Sequence, residues 1–120
     1  MRKTTKPVFF FPSGEPCPEP CWRPAVDIFR TQAGWLLRYD LAGVRAEDVE
    51  VWVSGRTITV TGVRRDLMLE EGLTYYSLEI SYNRFKRTVE LPSDLKSQTV
   101  SVEGRDGILI VRVSTEGESR

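Results

Sequence analysis

Residues 100–113 restrict the fold of this chain more than any other stretch. Val100 and Val102 alternate with Ser101 and Glu103, the two-residue period of a strand with one buried face. Gly104, Asp106 and Gly107 then supply positive-φ and side-chain-capped positions for a tight turn. Ile108, Leu109, Ile110 and Val111 are apolar without a break and mostly β-branched, a pattern that predicts cover on both faces. An edge strand turning into an inner strand predicts the heart of a small sandwich.

The preceding chain reads the same way. Val26 and Ile28 fall on one face of a short strand and Asp27 on the other. Residues 35–41 form a second strand, apolar on both faces, after a turn at Gln32, Ala33 and Gly34. Gly43 ends it, and residues 44–48 predict a single helical turn. Val49, Val51 and Val53 alternate with Glu50 and Trp52, and Ile58 and Val60 alternate with threonines. Ser54-Gly55-Arg56 between these two runs predicts a hairpin. Residues 75–80 and 83–91 predict one long strand, or two with a kink near Ser81, ended by Pro92. So many short strands with so little helical period predict an all-β sandwich.

Residues 1–23 read as a separate arm, with residues 24–113 as the domain and 114–120 as a short polar tail. Pro7, Pro12, Pro16, Pro18, Pro20 and Pro24 are six of the chain's 7 prolines, so extended or disordered backbone is expected in the arm. Val8, Phe9, Phe10 and Phe11 stand out within it. Either they dock on their own domain or they form a sticky contact for other chains. Cys17 and Cys21 have CxxxC spacing, whereas thioredoxin-like and zinc motifs mostly use CxxC. The pair reads first as incidental free thiols, then as an oxidation-sensitive pair, then as half of a metal site shared between chains.

Several function classes are excluded or disfavoured. The chain has no histidine, so Ser-His or Cys-His nucleophile pairs and His-ligated metal sites cannot form. No phosphate-binding GxxxxGK[ST] loop is present, and no cofactor or metal is expected. Its 17 basic and 17 acidic residues are interspersed, which gives no footprint for nucleic acid or a membrane surface. The four apolar residues 8–11 fall short of the roughly 7–15 of a secretory leader, so a cytoplasmic protein is expected.

The order of pieces resembles the small heat-shock protein family, the alpha-crystallin domain proteins, over residues 24–113. Pro24-Ala25-Val26-Asp27-Ile28 carries the resemblance, with Asp40-Leu41-Ala42-Gly43-Val44 and Glu47-Asp48-Val49. Thr57-Ile58-Thr59-Val60-Thr61-Gly62, residues 82–92 and residues 106–113 complete it. Ala42 stands where the family usually has proline, and Asn83 where glycine is common. The resemblance implies an immunoglobulin-like β-sandwich assembled as dimers. It also implies an ATP-independent chaperone, a holdase that captures unfolding proteins, and no enzyme.

On that resemblance Val49, Val51 and Val53 border a groove with Val100 and Val102 from the opposite sheet, although each valine reads equally well as core. Leu67, Met68 and Leu69 are expected to pair with a partner's Val26 and Ile28 in a homodimer, with Arg87 near the contact. The family's C-terminal I-x-I motif is missing from residues 114–120, so a dimer or low oligomer is expected, with Val8 to Phe11 a candidate substitute plug. Client capture is assigned to Val8, Phe9, Phe10 and Phe11. The rival reading is a co-chaperone or adaptor that binds a folded partner through the same sandwich; a thiol oxidoreductase acting through Cys17 and Cys21 is the weakest alternative.

Overall fold

The structure, a computed structural model, describes residues 4–5, 8–9, 21–66, 69–95 and 98–115. Two short strands, β1 (Thr4–Thr5) and β2 (Val8–Phe9), precede the domain. The domain strands are β3 (Val26–Arg30), β4 (Gly34–Asp40), β5 (Val49–Ser54), β6 (Thr57–Arg64), β7 (Asn83–Glu90), β8 (Gln98–Arg105) and β9 (Ile108–Thr115). They form one sheet in the order β1-β8-β9-β4-β3 and a second in the order β2-β5-β6-β7. The architecture is an all-β sandwich, and a single 3-10 turn at Ala46–Asp48 sits where one helical turn is expected.

Turn chemistry sets both tight hairpins. Asp106 and Gly107 link β8 to β9 at φ values of 52° and 82°, the left-handed pair that a two-residue hairpin matched to strand twist requires. Gly104, expected in that turn, instead pairs with Leu109 inside the ladder. Gly55 and Arg56 link β5 to β6, with Gly55 at φ 59°. Asn83 takes φ 75° at the start of β7, a conformation asparagine tolerates better than most residues.

The core lies between the sheets. Leu37, Tyr39, Val51, Ile58, Val60 and Val111 are fully buried, each on the inner face of its strand. Residues 35–41 and 108–111, apolar on both faces, differ from expectation on their outer sides. Leu36, Ile108 and Ile110 are half-buried there, and no third layer covers the sheet among the described residues. Gly62 on β6 allows the closest packing: a Cβ there would come within 2.6 Å of the Phe85 ring and run into the Asp48 carbonyl.

One expected strand does not form. Residues 75–80 pair with no strand among the described residues, and every residue from 69 to 81 is exposed. A strand gains its stability from a ladder and a covered face, and the described residues offer 75–80 neither. β7 therefore begins at Asn83 and stands alone in the place of the longer strand.

Candidate protein-interaction surface

The two sheets bring β5 and β8 to the same side of the sandwich, each outermost among the domain strands of its sheet. Val49, Val51, Val53 and Val102 are buried and Val100 is half-buried. The first four valines are thus core residues beneath these strands. The arm meets both strands: Thr4 and Thr5 pair antiparallel with Gly104 and Glu103, and Val8 and Phe9 pair in parallel with Val51 and Trp52. Phe10 and Phe11 lie outside the described residues.

The opposite end of the five-stranded sheet is different. β3 has β4 on one side and no strand on the other among the described residues. Ile28 lies on the inner face, opposite buried Leu37, yet is 43% exposed, and Phe29 is equally exposed on the outer face. Val26 is half-buried. The outer face is polar around Phe29: Arg38 stacks 4.7 Å from its ring and bonds Asp27 at 2.7 Å. That ion pair is solvated and contributes little.

Large apolar side chains stand in solvent beyond β6. Leu69, Leu73, Tyr75, Tyr76, Leu78 and Ile80 are all exposed, Leu69 at 86% and Tyr76 fully. Leu67 and Met68 lie outside the described residues. The sequence pointed to residues 67–69 as the apolar element of this connection. The structure adds Tyr75 to Ile80, whose alternation predicts a strand of their own sheet. The alternating apolar pattern there was legible; the lack of a partner strand was not.

Arg87 lies on the face of β7 that carries buried Phe85 and Val89. Its Nη1 donates to the Pro24 carbonyl at 3.0 Å, while its buried Nε has no hydrogen-bond partner among the described residues. The buried hydroxyl of Tyr39 is likewise unpartnered, and burial pushes that phenol's pKa well up against the opposing pull of Arg87. The arginine is held by a carbonyl of its own chain.

Trp22 is the residue that sequence reasoning missed. Its backbone joins the open side of β7, donating to the Arg84 carbonyl and accepting from Lys86 N–H, both at 3.0 Å. Its indole packs on Phe85 and donates to the Asn83 carbonyl at 3.1 Å. Arg64 stacks 4.3 Å from the indole and donates to the carbonyls of Ala42 and Ser81, fixing both ends of the exposed connection. An aromatic placed just before the first apolar alternation was the available signal. Cys21 beside it is disulfide-bonded, which corrects the leading expectation of a free thiol there; Cys17 lies outside the described residues. Among the described residues no three His, Cys, Asp or Glu side chains gather as a metal site, and no helix is long and apolar enough to cross a membrane.

The geometry is that of a two-sheet all-β sandwich with a closed core, one bare edge at β3 among the described residues, and exposed apolar side chains beyond β6. The family model for the Hsp20/alpha crystallin family matches residues 27–120, and the chain belongs to that family, the small heat-shock proteins. Similar relatives include the spore protein SP21 of Stigmatella aurantiaca, 28% identical over 82% of this chain and 59% of its own length. A 17.4 kDa class I heat shock protein of Arabidopsis thaliana is 29% identical over 79% of this chain and 62% of its own. The chain thus spans about three fifths of the length of these curated relatives. Among solved structures, hspA from Xanthomonas axonopodis superposes with a TM-score of 0.67 at 26% identity, covering 82% of this chain and 98% of that one. Heat shock protein 16.0 of Schizosaccharomyces pombe shares the fold, with a TM-score of 0.69 at 23% identity over 82% of this chain and 91% of that one.

Proposed function

We propose that this chain is an ATP-independent chaperone that holds unfolding proteins and keeps them from aggregating. The observation that carries the reading is the contrast between a fully buried core and the large apolar side chains left in solvent beside it. Exposed apolar patches of this kind mark protein-binding surface, and binding without turnover needs nothing more. Family membership supports the same reading.

The two apolar regions have different work. The arm, with Val8, Phe9, Phe10 and Phe11, takes clients. Only two residues of β2 pair with the domain, so the arm belongs to the low-stability end of the molecule, from which binding segments are drawn. The exposed connection serves self-association: Leu69 and Tyr75 to Ile80 of one copy cover the open β3 of another, and the exchange is reciprocal. This covers Ile28 and pairs a bare edge, two gains from one contact. A homodimer results, with Arg87 behind the contact as a brace. An aggregation assay on a heat-labile client without nucleotide tests the holding activity. Stoichiometric binding to a folded chaperone with no suppression of aggregation would assign the adaptor role instead.

A further inference from the structure

We propose that the disulfide at Cys21 is a redox latch, whose opening by a dithiol unseats Trp22 from β7 and, through Arg64, loosens the end of the exposed connection at Ser81. The chain holds 2 cysteines, so within one chain the bond joins Cys21 to Cys17. Only Pro18, Glu19 and Pro20 lie between them. A disulfide stabilises a fold more as its loop lengthens, and Cys21 is outside the closed core, so this bond contributes little to the sandwich itself. Its effect falls on the residue beside it.

That residue, Trp22, is held to β7 by an isolated bridge to Phe85, with one hydrogen bond to the Arg84 carbonyl and one from the Lys86 N–H. Arg64, stacked 4.3 Å from the indole, donates to the Ser81 carbonyl at 2.8 Å. Contacts thus run without a gap from Cys21 to Ser81, where the exposed connection returns to the sandwich. The other end is held separately: Arg65 grips Asp48 through two bonds of 2.8 and 2.9 Å. A bridge one residue long opens easily, and the closed loop restricts the chain just before it. Opening the loop restores that freedom, so the bridge breaks more often.

Cys21 is half-buried, which leaves it open to a small dithiol. One thiolate of the dithiol attacks a sulfur, the Sγ–Sγ bond breaks, and the second thiolate closes on the mixed disulfide. The dithiol is oxidised to a cyclic disulfide, and the two cysteines take up its two electrons and two protons as thiols. This inference goes beyond the chaperone reading and does not depend on it.

Hydrogen exchange on the full chain, before and after dithiothreitol, tests the latch without any client. Alkylation and intact mass score the bond on the same samples. Reduction should speed exchange roughly tenfold or more at the Trp22 and Lys86 amides, the two that close the bridge. The amides of β6 and β9 should stay unchanged, which shows that the sandwich remains folded. Cleavage after Glu79 by a glutamate-specific protease should quicken several-fold, while cleavage after Glu70 and Glu71 does not. The double variant Cys17→Ser with Cys21→Ser should match the reduced chain with or without dithiothreitol. Unchanged exchange at Trp22 and Lys86 in fully reduced chain would overturn the latch, and unchanged cleavage after Glu79 would overturn its link through Arg64. A disulfide-linked dimer on non-reducing electrophoresis would overturn it too, because the bond would then join two copies.

Discussion

The indole of Trp22 lies against the ring of Phe85, centroids 5.1 Å apart and planes at 54°, and ties the start of the domain to β7. The backbone of Trp22 adds two hydrogen bonds to the same strand. Trp22→Ala should therefore cost about 2 kcal/mol, below the ~3–5 of a fully buried aromatic because Trp22 is half-buried. Denaturant unfolding measures it, and an unchanged midpoint would show the contact to be incidental.

Gly62 has no room for a side chain. A methyl group there meets the Asp48 carbonyl and the Phe85 ring together, and the carbonyl belongs to backbone that cannot swing aside. Gly62→Ala should destabilise by about 3 kcal/mol, the upper range for overpacking. A thermal melt within a degree or two of the parent would contradict this.

Arg87 tests whether the buried guanidinium stabilises through its charge or through its length. With one bond to the Pro24 carbonyl and no carboxylate partner among the described residues, Arg87→Ala should cost about 1–3 kcal/mol, without the larger penalty of orphaning a buried charge. Arg87→Met keeps the length and removes the unpartnered Nε, so it should recover most of that loss. Equal losses in both variants would place the value in the charge.

Ile28 and Tyr76 test the association surface from its two sides. Tyr76→Asp, and separately Ile28→Asp, should each yield monomers at micromolar concentration by sedimentation. Each buried large apolar side chain contributes roughly 1.5–3 kcal/mol to such a contact. Tyr76 is fully exposed in the single chain, so its own folding should be indifferent to Tyr76→Asp, whereas Ile28, 43% exposed on the inner face, should lose some stability as aspartate while the domain stays folded. A dimer of unaltered strength in both variants would exclude this surface.

The sandwich was legible because its strands carry their own signals. Val49 to Val53, the threonine-faced β6 and the Asp106-Gly107 turn each state a period or a backbone angle that few other folds accept. What the sequence left hidden depends on neighbours. Residues 75–80 have the alternation of a strand and remain unpaired among the described residues, because alternation reports a face and never a partner. The proline-rich arm reads as extended, yet nothing in Thr4, Thr5, Val8 or Phe9 announces that two sheet edges lie one crossing apart. Trp22 carries no period at all, since a single bridge is too short to produce one.

Holding a client without nucleotide is the central claim, and one assay reaches it. A heat-labile protein is warmed in the absence of ATP with increasing amounts of the full chain, and scattered light is followed. The account predicts that scattering falls toward baseline near equimolar chain, with the client retained in a complex. It also predicts that Phe9→Ser with Phe10→Ser and Phe11→Ser weakens protection while the fold is kept. Scattering unaffected by a several-fold excess of the folded chain would contradict the account.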